Sequence, residues 1–201
     1  VMGGDVLPPL LVTFGLSVII QNALLTGYSA DPQKLQAGPL ETASLSAGGL
    51  TVGLLPLLMF ATAVAVIAAL QWVFYRTALG RAFRATSDRP DVAQLMGLDR
   101  AHVFALAMAL SLAVTGIAGV FLGIRTSFDP SIGPSRLLFG FEAVIIGGLG
   151  SLWGTLAGGV ILGVAQALGG QVNPAFQVLA GHLVFLLVLA VRPRGLFPRM
   201  E

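Results

Sequence analysis

The sequence has no cysteine and little charge: of 201 residues, 11 are Lys or Arg, 9 are Asp or Glu and 2 are His. Each scarcity excludes something. Without cysteine there are no disulfides or thiolate metal sites, and redox compartment leaves no mark on the chain. The two histidines, His102 and His182, are too few for a metal cluster. Charged residues make up 10%, against roughly 25% in soluble domains, and the mean hydropathy is +0.90. Those values describe a membrane protein. The pI near 9.7 goes with a net charge of only +2, and the basic residues are not interleaved with aromatics in a soluble domain, so nucleic acid is not an expected partner. The opening "VMGGDV" lacks the charged n-region and cleavage site of a signal peptide.

What is there is apolar sequence in long uncharged runs. A bilayer core of about 30 Å needs about 20 apolar residues per helix. A membrane barrel needs strands of about ten residues that alternate apolar and polar, and "VFALAMALSLAVTGIAGVFLGI" (Val103 to Ile124) does not alternate. Five apolar blocks are expected to be helical: Val6 to Thr26, entered through Pro8 and Pro9; Leu50 to Phe74, with Pro56 tolerated as a kink; Val103 to Ile124; Leu137 to Leu168; and Phe176 to Val191. Between the first two lies a polar stretch, Gly27 to Gly49, with "DP" and "GP" turn dipeptides, read as an extramembrane loop. A shorter loop spans Arg125 to Arg136, and "RPRGLFPRME" follows the last block.

Counting Lys and Arg in the short loops orients the chain, because the cytoplasmic side carries the excess. The insert Arg76 to Arg100 holds five and the tail three, against one in Gly27 to Gly49 and two in Arg125 to Arg136. Insert and tail are therefore expected in the cytoplasm. By parity, Leu137 to Leu168 then crosses twice or dips in and returns, which suggests two short helices in a thin or re-entrant pair. The fold expected is all-α and polytopic, with about six membrane helices including this Gly-rich pair.

Within that region "IIGGLGSLWGTLAGGVILG" puts Gly150, Gly154 and Gly158 at four-residue spacing, with Gly159 and Gly163 one residue round. In lipid, helices associate through close backbone approach, which small residues permit. Packing is the plainer reading. The sharper one is a substrate-path wall of broken helices that expose backbone groups to a cavity, with Gly148 and Gly150 among the path candidates. The same string is no dinucleotide fingerprint, since "GLGSLWG" is GxGxxxG, and Ser151 is not in a G-x-S-x-G elbow. Nothing in the spacing brings Ser151 to His182, so an intramembrane hydrolase is not supported.

Glu142 stands out as the carboxylate nearest the interior of an apolar block, and an intramembrane acid is by default a functional candidate. Its place only six residues after Arg136 equally suits a helix end. Gln21, Asn22, Gln71, Gln166 and His182 are the other polar groups available to line a path, although such side chains often bond neighbouring helices instead.

The insert "RTALGRAFRATSDRPDVAQLMGLDRAHV" has its own grammar. Leu79, Ala82 and Phe83 recur at helical spacing, flanked by Arg81 and Arg84. Ser87 or Asp88 is suited to cap a second helix from Pro90 to Met96, with Asp91 in its first turn and Gly97 as its stop. Val92, Leu95 and Met96 form that helix's apolar side. Helices this short are marginal alone and gain stability by burying that side against their own protein or a partner.

"TALGRAFRATSDRPDVAQLMGLDRAHV", "AGVFLG", "DPSIG", "FEAVIIGGLGSLWGTLAGGVILG" and "RPRGLF", in this order, resemble the permease subunits of branched-chain amino acid ABC transporters, and the LivH-like branch more than LivM. The resemblance runs from Leu7 to Phe197. It implies a single transmembrane permease domain over 1–201, and an importer for branched-chain or related amino acids in the bacterial inner membrane. Two permease subunits would form the path, two cytoplasmic ATPases would drive it, and an extracytoplasmic binding protein would deliver substrate. It makes the insert, at about 75–102, the element that docks on the ATPase, a role that by position falls on Gly80, Arg81, Arg84, Asp88, Asp91 and Gly97, with Phe83 on the docking helix's apolar side. The family also has helices ahead of the region where this chain starts, so an N-terminal part is expected to be missing. No enzymatic role and no cofactor are implied. The single lysine, Lys34, lies outside any P-loop pattern, so ATP would be hydrolysed by a separate subunit. The alternatives are a urea or short-amide permease of the same family, and a passive channel with the Gly-rich helices as its filter.

Overall fold

The computed structural model describes residues 7–47 and 50–197. Val6, Gly48, Gly49 and the end of the tail, 198–201, lie outside the described residues. Nine helices form in the order α1 (Leu7–Tyr28), α2 (Pro39–Thr42), α3 (Leu54–Arg76), α4 (Ala78–Asp88), α5 (Pro90–Leu95), α6 (Arg100–Arg125), α7 (Gly133–Gly147), α8 (Leu152–Val172) and α9 (Phe176–Val191) among the described residues. Four of them are long and apolar enough to cross a membrane: Leu10–Tyr28 of α1, then α3, α6 and α8, of 19, 23, 26 and 21 residues. At 1.5 Å per residue, each comes close to or exceeds the ~30 Å hydrocarbon thickness. Their large side chains, such as Leu11, Phe14, Trp72, Met108 and Leu112, point outward, as lipid-facing residues should.

The expected all-helical chain has one departure among the described residues. Between α2 and α3, strands β1 (Ser44–Ala47) and β2 (Leu50–Gly53) pair antiparallel, Ser44 opposite Gly53 and Leu45 opposite Val52. The second apolar block therefore begins as a strand at Leu50 and turns helical only at Leu54. Hydropathy counts Leu50 to Gly53 as membrane sequence, whereas Thr51 and Val52 are β-branched and have a partner strand at hand. The polar stretch before it is also more ordered than a plain loop. Lys34 Nζ reaches Glu41 Oε2 at 2.7 Å, Glu41 Oε1 accepts the Ala37 N–H at 2.8 Å, and Gln33 exchanges backbone bonds with Phe128 at 2.8 Å.

The Gly-rich block divides into one short helix and one of spanning length rather than the expected two short helices. α7 has 15 residues, α8 has 21, and the break falls at Gly148 to Ser151. Gly148 has φ +102° and Gly150 φ +84°, a region glycine enters without the steric cost other residues pay. Ser151 caps α8 by accepting the Gly154 N–H at 3.0 Å. The contacts run in opposite senses along α7 and α8: Gly147 meets Gly154, and Ala143 meets Gly158. The pair is therefore antiparallel. α9 returns along α8 in the same way, with Gly181 against Gln166 and Ala180 against Gly169.

The ends of these helices fall in two groups. The C-terminal end of α6 meets the polar stretch through the Leu35 N–H to Gly123 carbonyl bond of 2.9 Å, and α7 starts shortly after it. The α7–α8 turn, in contrast, shares a cavity with the last turns of α3, the first turns of α6, the insert and Phe197. α7 thus runs from one end of α6 to the other. The tail closes at that second end, where the Leu196 and Phe197 N–H groups donate to the Ile146 and Gly147 carbonyls at 2.8 and 3.0 Å. These are two of the carbonyls a helix leaves unpaired at its C-terminus.

Candidate functional site

The insert begins at Thr77, whose hydroxyl donates to the Val73 carbonyl at 2.6 Å and accepts the Gly80 N–H at 3.2 Å. One side chain thus ends α3 and caps α4. Gly80 is buried in the corner, where a Cβ would lie 2.2 Å from the Phe74 carbonyl oxygen and 2.3 Å from that of Val73. Only glycine fits there. The corner turns the apolar side of α4 onto the membrane helices: Phe83 meets Phe74 with ring centroids 5.6 Å apart, and the Arg84 guanidinium lies 5.2 Å from the Tyr75 ring centroid.

The break between the two insert helices comes at Arg89, with φ −144° and ψ 84°. Neither Ser87 nor Asp88 caps α5; both belong to α4. The proline explains it, because the residue before proline is driven out of helical geometry. Pro90 begins α5, and Gly97, with φ +82°, follows its end. Asp91 pairs with Arg100 at 3.2 Å, which ties α5 to α6.

The apolar side expected of α5 is not buried in this chain. Leu95 and Met96 are 87% and 80% exposed, and Val92 is about half exposed, while Ala93 is the buried residue. Arg81, Asp88, Val92 and Met96 are among the residues that line a groove of about 450 Å³ between α4 and α5. Six of the seven insert residues singled out from sequence thus shape a corner, a groove or a fastening. The seventh, Gly97, sets where α5 stops.

The residues expected along a path fall in separate places. Gln21, in α1, lines a small cavity of about 350 Å³ with Pro130 and Pro134. The Asn22 side chain donates to its own helix at the Val18 carbonyl, 2.8 Å away. Gly148 and Gly150 form the α7–α8 turn. Glu142 and His182 come together: Glu142 Oε1 is bonded to His182 Nδ1, and the His182 ring stacks on Phe139 with centroids 5.7 Å apart. Glu142 is buried at 3% exposure, and its Oε2 has no partner among the described residues. Gln166 lies over Gly181, next to His182, with Nε2 3.1 Å from where a Gly181 Cβ would be.

The glycine stripe splits. A Cβ on Gly154 would sit 2.4 Å from the Gly147 carbonyl oxygen, and one on Gly158 would sit 2.1 Å from that of Ala143. Gly159 and Gly163, expected to pack, have nothing within 4 Å. One residue is about 100° of helix, enough to turn them off the α7 contact.

Sequence reasoning passed over Thr86 and Gly195. Thr86 is 2% exposed, and its hydroxyl has no partner among the described residues. Its signal was present, since it lies four residues after Ala82 and three after Phe83, on the same face of α4. Gly195, at φ +82°, rests against Gly148, where a Cβ would be 2.5 Å from the Gly148 nitrogen.

Apolar helices of spanning length, packed through glycine and joined by a two-helix insert beyond their ends, define a helical multi-pass membrane protein. Residues 6–191 match the family described as branched-chain amino acid transport system / permease component, and the chain belongs to that family, whose members are transport permease subunits rather than enzymes. It is similar to the high-affinity branched-chain amino acid transport system permease protein BraD of Pseudomonas aeruginosa, 29% identical over 204 residues, covering 99% of this chain and 66% of the relative. It is also similar to LivH of Salmonella typhimurium, 30% identical over 198 residues, covering 96% of this chain and 64% of the relative. The match to LivM of the same organism, 29% identical, covers 61% of this chain and 29% of the relative, so the LivH-like assignment is the better one. The chain thus spans just under two thirds of the length of BraD and of LivH. No solved structure matches it.

Proposed function

We propose that the chain is a permease subunit of an ATP-driven importer of branched-chain or related amino acids in the bacterial inner membrane. In this reading 1–201 is one transmembrane domain, and the insert at about 75–102 docks on a cytoplasmic ATPase. The observation that carries it is the apolar side of α5, which extends beyond the helix ends with Leu95 and Met96 uncovered beside a groove edged by Arg81, Asp88 and Arg89. A short amphipathic helix gains most by laying such a face into a partner's groove. Gly80, Phe83 and Arg84 fix the insert to α3, so that a push on α5 is transmitted to that membrane helix.

Insert and tail share one end of the bundle, and together hold eight of the eleven basic residues, which supports a cytoplasmic location for both. With α7 and α9 counted beside the four longer helices, the chain crosses six times, α7 and α8 crossing fully rather than dipping in and returning. A second permease subunit completes the path, a binding protein delivers substrate from the far side, and Gln21, Asn22, Glu142, Gly148, Gly150 and Gln166 face or shape the route.

Uptake of labelled leucine and labelled urea by cells carrying the full-length gene tests this, with and without the cognate ATPase genes. The reading expects leucine uptake only when the ATPases are present. Uptake without them would mean a passive channel, and uptake of urea alone would mean an amide permease.

A further inference from the structure

The cavity at the insert end of the bundle measures about 620 Å³, within the range of roughly 300–1,000 Å³ typical of ligand sites. Its walls come from the last two turns of α3, the first two of α6 and the first of α8, closed on one side by α4. Three spanning helices therefore meet it at their ends, the depth at which a bilayer's headgroups lie. Tyr75, Phe104 and Trp153 on its wall are each about half exposed, the amphipathic and aromatic residues enriched at that depth.

Several of its polar groups can donate to an anion, while the Gln71 amide oxygen already accepts from the Trp153 indole N–H. Among the described residues Arg84 is the charged residue of the lining, no carboxylate lines it, and Arg84 makes no ion pair. The Leu152 and Trp153 N–H groups at the start of α8 have no acceptor among the described residues, and a helix N-terminus favours negative charge. Thr86, nine-tenths and more buried on the cavity wall, brings a hydroxyl with no partner among the described residues. Cation, helix N-terminus and orphan hydroxyl border one volume, whose wall also carries the aromatic side chains of Phe74, Tyr75, Phe104 and Trp153.

We propose that this cavity is a binding site for an anionic phospholipid, with the phosphate on Arg84, Thr86 and the α8 N-terminus and the glycerol and upper acyl carbons against the aromatic wall. A zwitterionic headgroup fits less well, because it brings a second cation beside the Arg84 guanidinium with no carboxylate among the described lining residues to offset it. A free amino acid fails on the same count. Occupancy would join α4 to α8 through the ligand, and so set how firmly the insert is held to the membrane helices.

The test is native mass spectrometry of the full-length protein in detergent, titrated with phosphatidylglycerol or phosphatidylcholine. Retention of phosphatidylglycerol should be favoured about tenfold, the ratio that a single charge-assisted hydrogen bond is worth. Arg84→Gln with Thr86→Val should remove that preference, while Arg89→Gln, which changes an insert arginine outside the cavity, should keep it. Arg84→Lys with Thr86→Ser keeps cation and hydroxyl and should retain most of it, which separates lost binding from lost folding. Equal retention of the two lipids, or an unchanged preference in Arg84→Gln/Thr86→Val, overturns the proposal. Displacement of phosphatidylglycerol by millimolar inorganic phosphate would also overturn it, by making the site one for a small free anion. None of these readouts depends on leucine transport, so the lipid site stands or falls apart from the importer.

Discussion

Gly158 and Gly159 are neighbours in α8 that face opposite circumstances, and alanine at each is the sharpest test of the packing described here. At Gly158 the new Cβ would lie 2.1 Å from the Ala143 carbonyl oxygen and 2.9 Å from the Gly147 nitrogen, about 1.3 Å short of ordinary contact with the first. Both atoms are backbone, so relief requires α7 and α8 to move apart and to lose the close approach on which their association in lipid depends. Overpacking of this kind costs about 1–3 kcal/mol, and an immovable neighbour puts it at the upper end. Alanine returns about 1 kcal/mol in helix propensity, leaving Gly158→Ala less stable by about 2 kcal/mol. Gly159→Ala receives the propensity gain with nothing within 4 Å to oppose it. The two variants should therefore differ by about 3 kcal/mol in reversible unfolding in mixed dodecylmaltoside and dodecyl sulfate micelles. A difference below about 0.5 kcal/mol, the usual scatter for inconsequential substitutions, would refute the α7–α8 contact.

Other expectations follow from the same geometry. Phe83→Asp puts a charge against Phe74, and Gly97→Leu puts a side chain at φ +82°; both should abolish leucine uptake with normal membrane insertion, and unchanged uptake in both would remove the coupling role. His182→Leu leaves both Glu142 oxygens unpartnered and should cost about 3 kcal/mol, most of it recovered in the Glu142→Leu/His182→Leu double variant; a purely additive double variant would show that the pair is not coupled. Outside the membrane helices, the Lys34 ammonium and then the Ala37 N–H lower the Glu41 pKa from its ordinary 4.5, and the Ser131 hydroxyl and N–H lower that of Asp129 from 3.8. A depressed carboxyl contributes stability that is present above its ordinary value and is lost as pH falls through the lowered one. Hydrogen-exchange protection of the Ala37 and Ser131 amides should therefore hold at neutral pH and fall only in acid below those ordinary values. Loss of protection already near neutrality would contradict it.

How much of this was legible in the sequence depends on the kind of signal. Long uncharged runs placed α3, α6 and α9 to within a few residues, because lipid accepts little else at that length. Pro90 and Gly97 marked the ends of α5 by backbone chemistry alone. The hairpin at Ser44 to Gly53 was hidden, since strand pairing is a relation between two segments and Leu50 to Gly53 reads as greasy as the helix after it. The stripe of glycines was visible, but which of them touch a neighbour was not. That depends on the rotation of α8 against α7, which no property of α8 alone fixes. Glu142 was singled out for its charge, yet its meeting with His182, forty residues on, needed the α7–α9 contact. Thr86 was missed because a threonine among alanines and arginines looks like surface.

The bonds from Leu196 and Phe197 to the end of α7 carry a consequence for how the protein is made. Chains are synthesised from the N-terminus at about 5–20 residues per second, and about 50 residues separate Ile146 from Leu196. For roughly three to ten seconds after α7 emerges, the carbonyls of Ile146 and Gly147 have only water to bond. The glycine turn between α7 and α8 is thus the last corner of the bundle to be finished. An insertion process that buried it in lipid before the tail arrived would strand two acceptors in hydrocarbon. The order of synthesis itself asks that this turn stay at the wet edge of the membrane until residues 195–197 fold back over it.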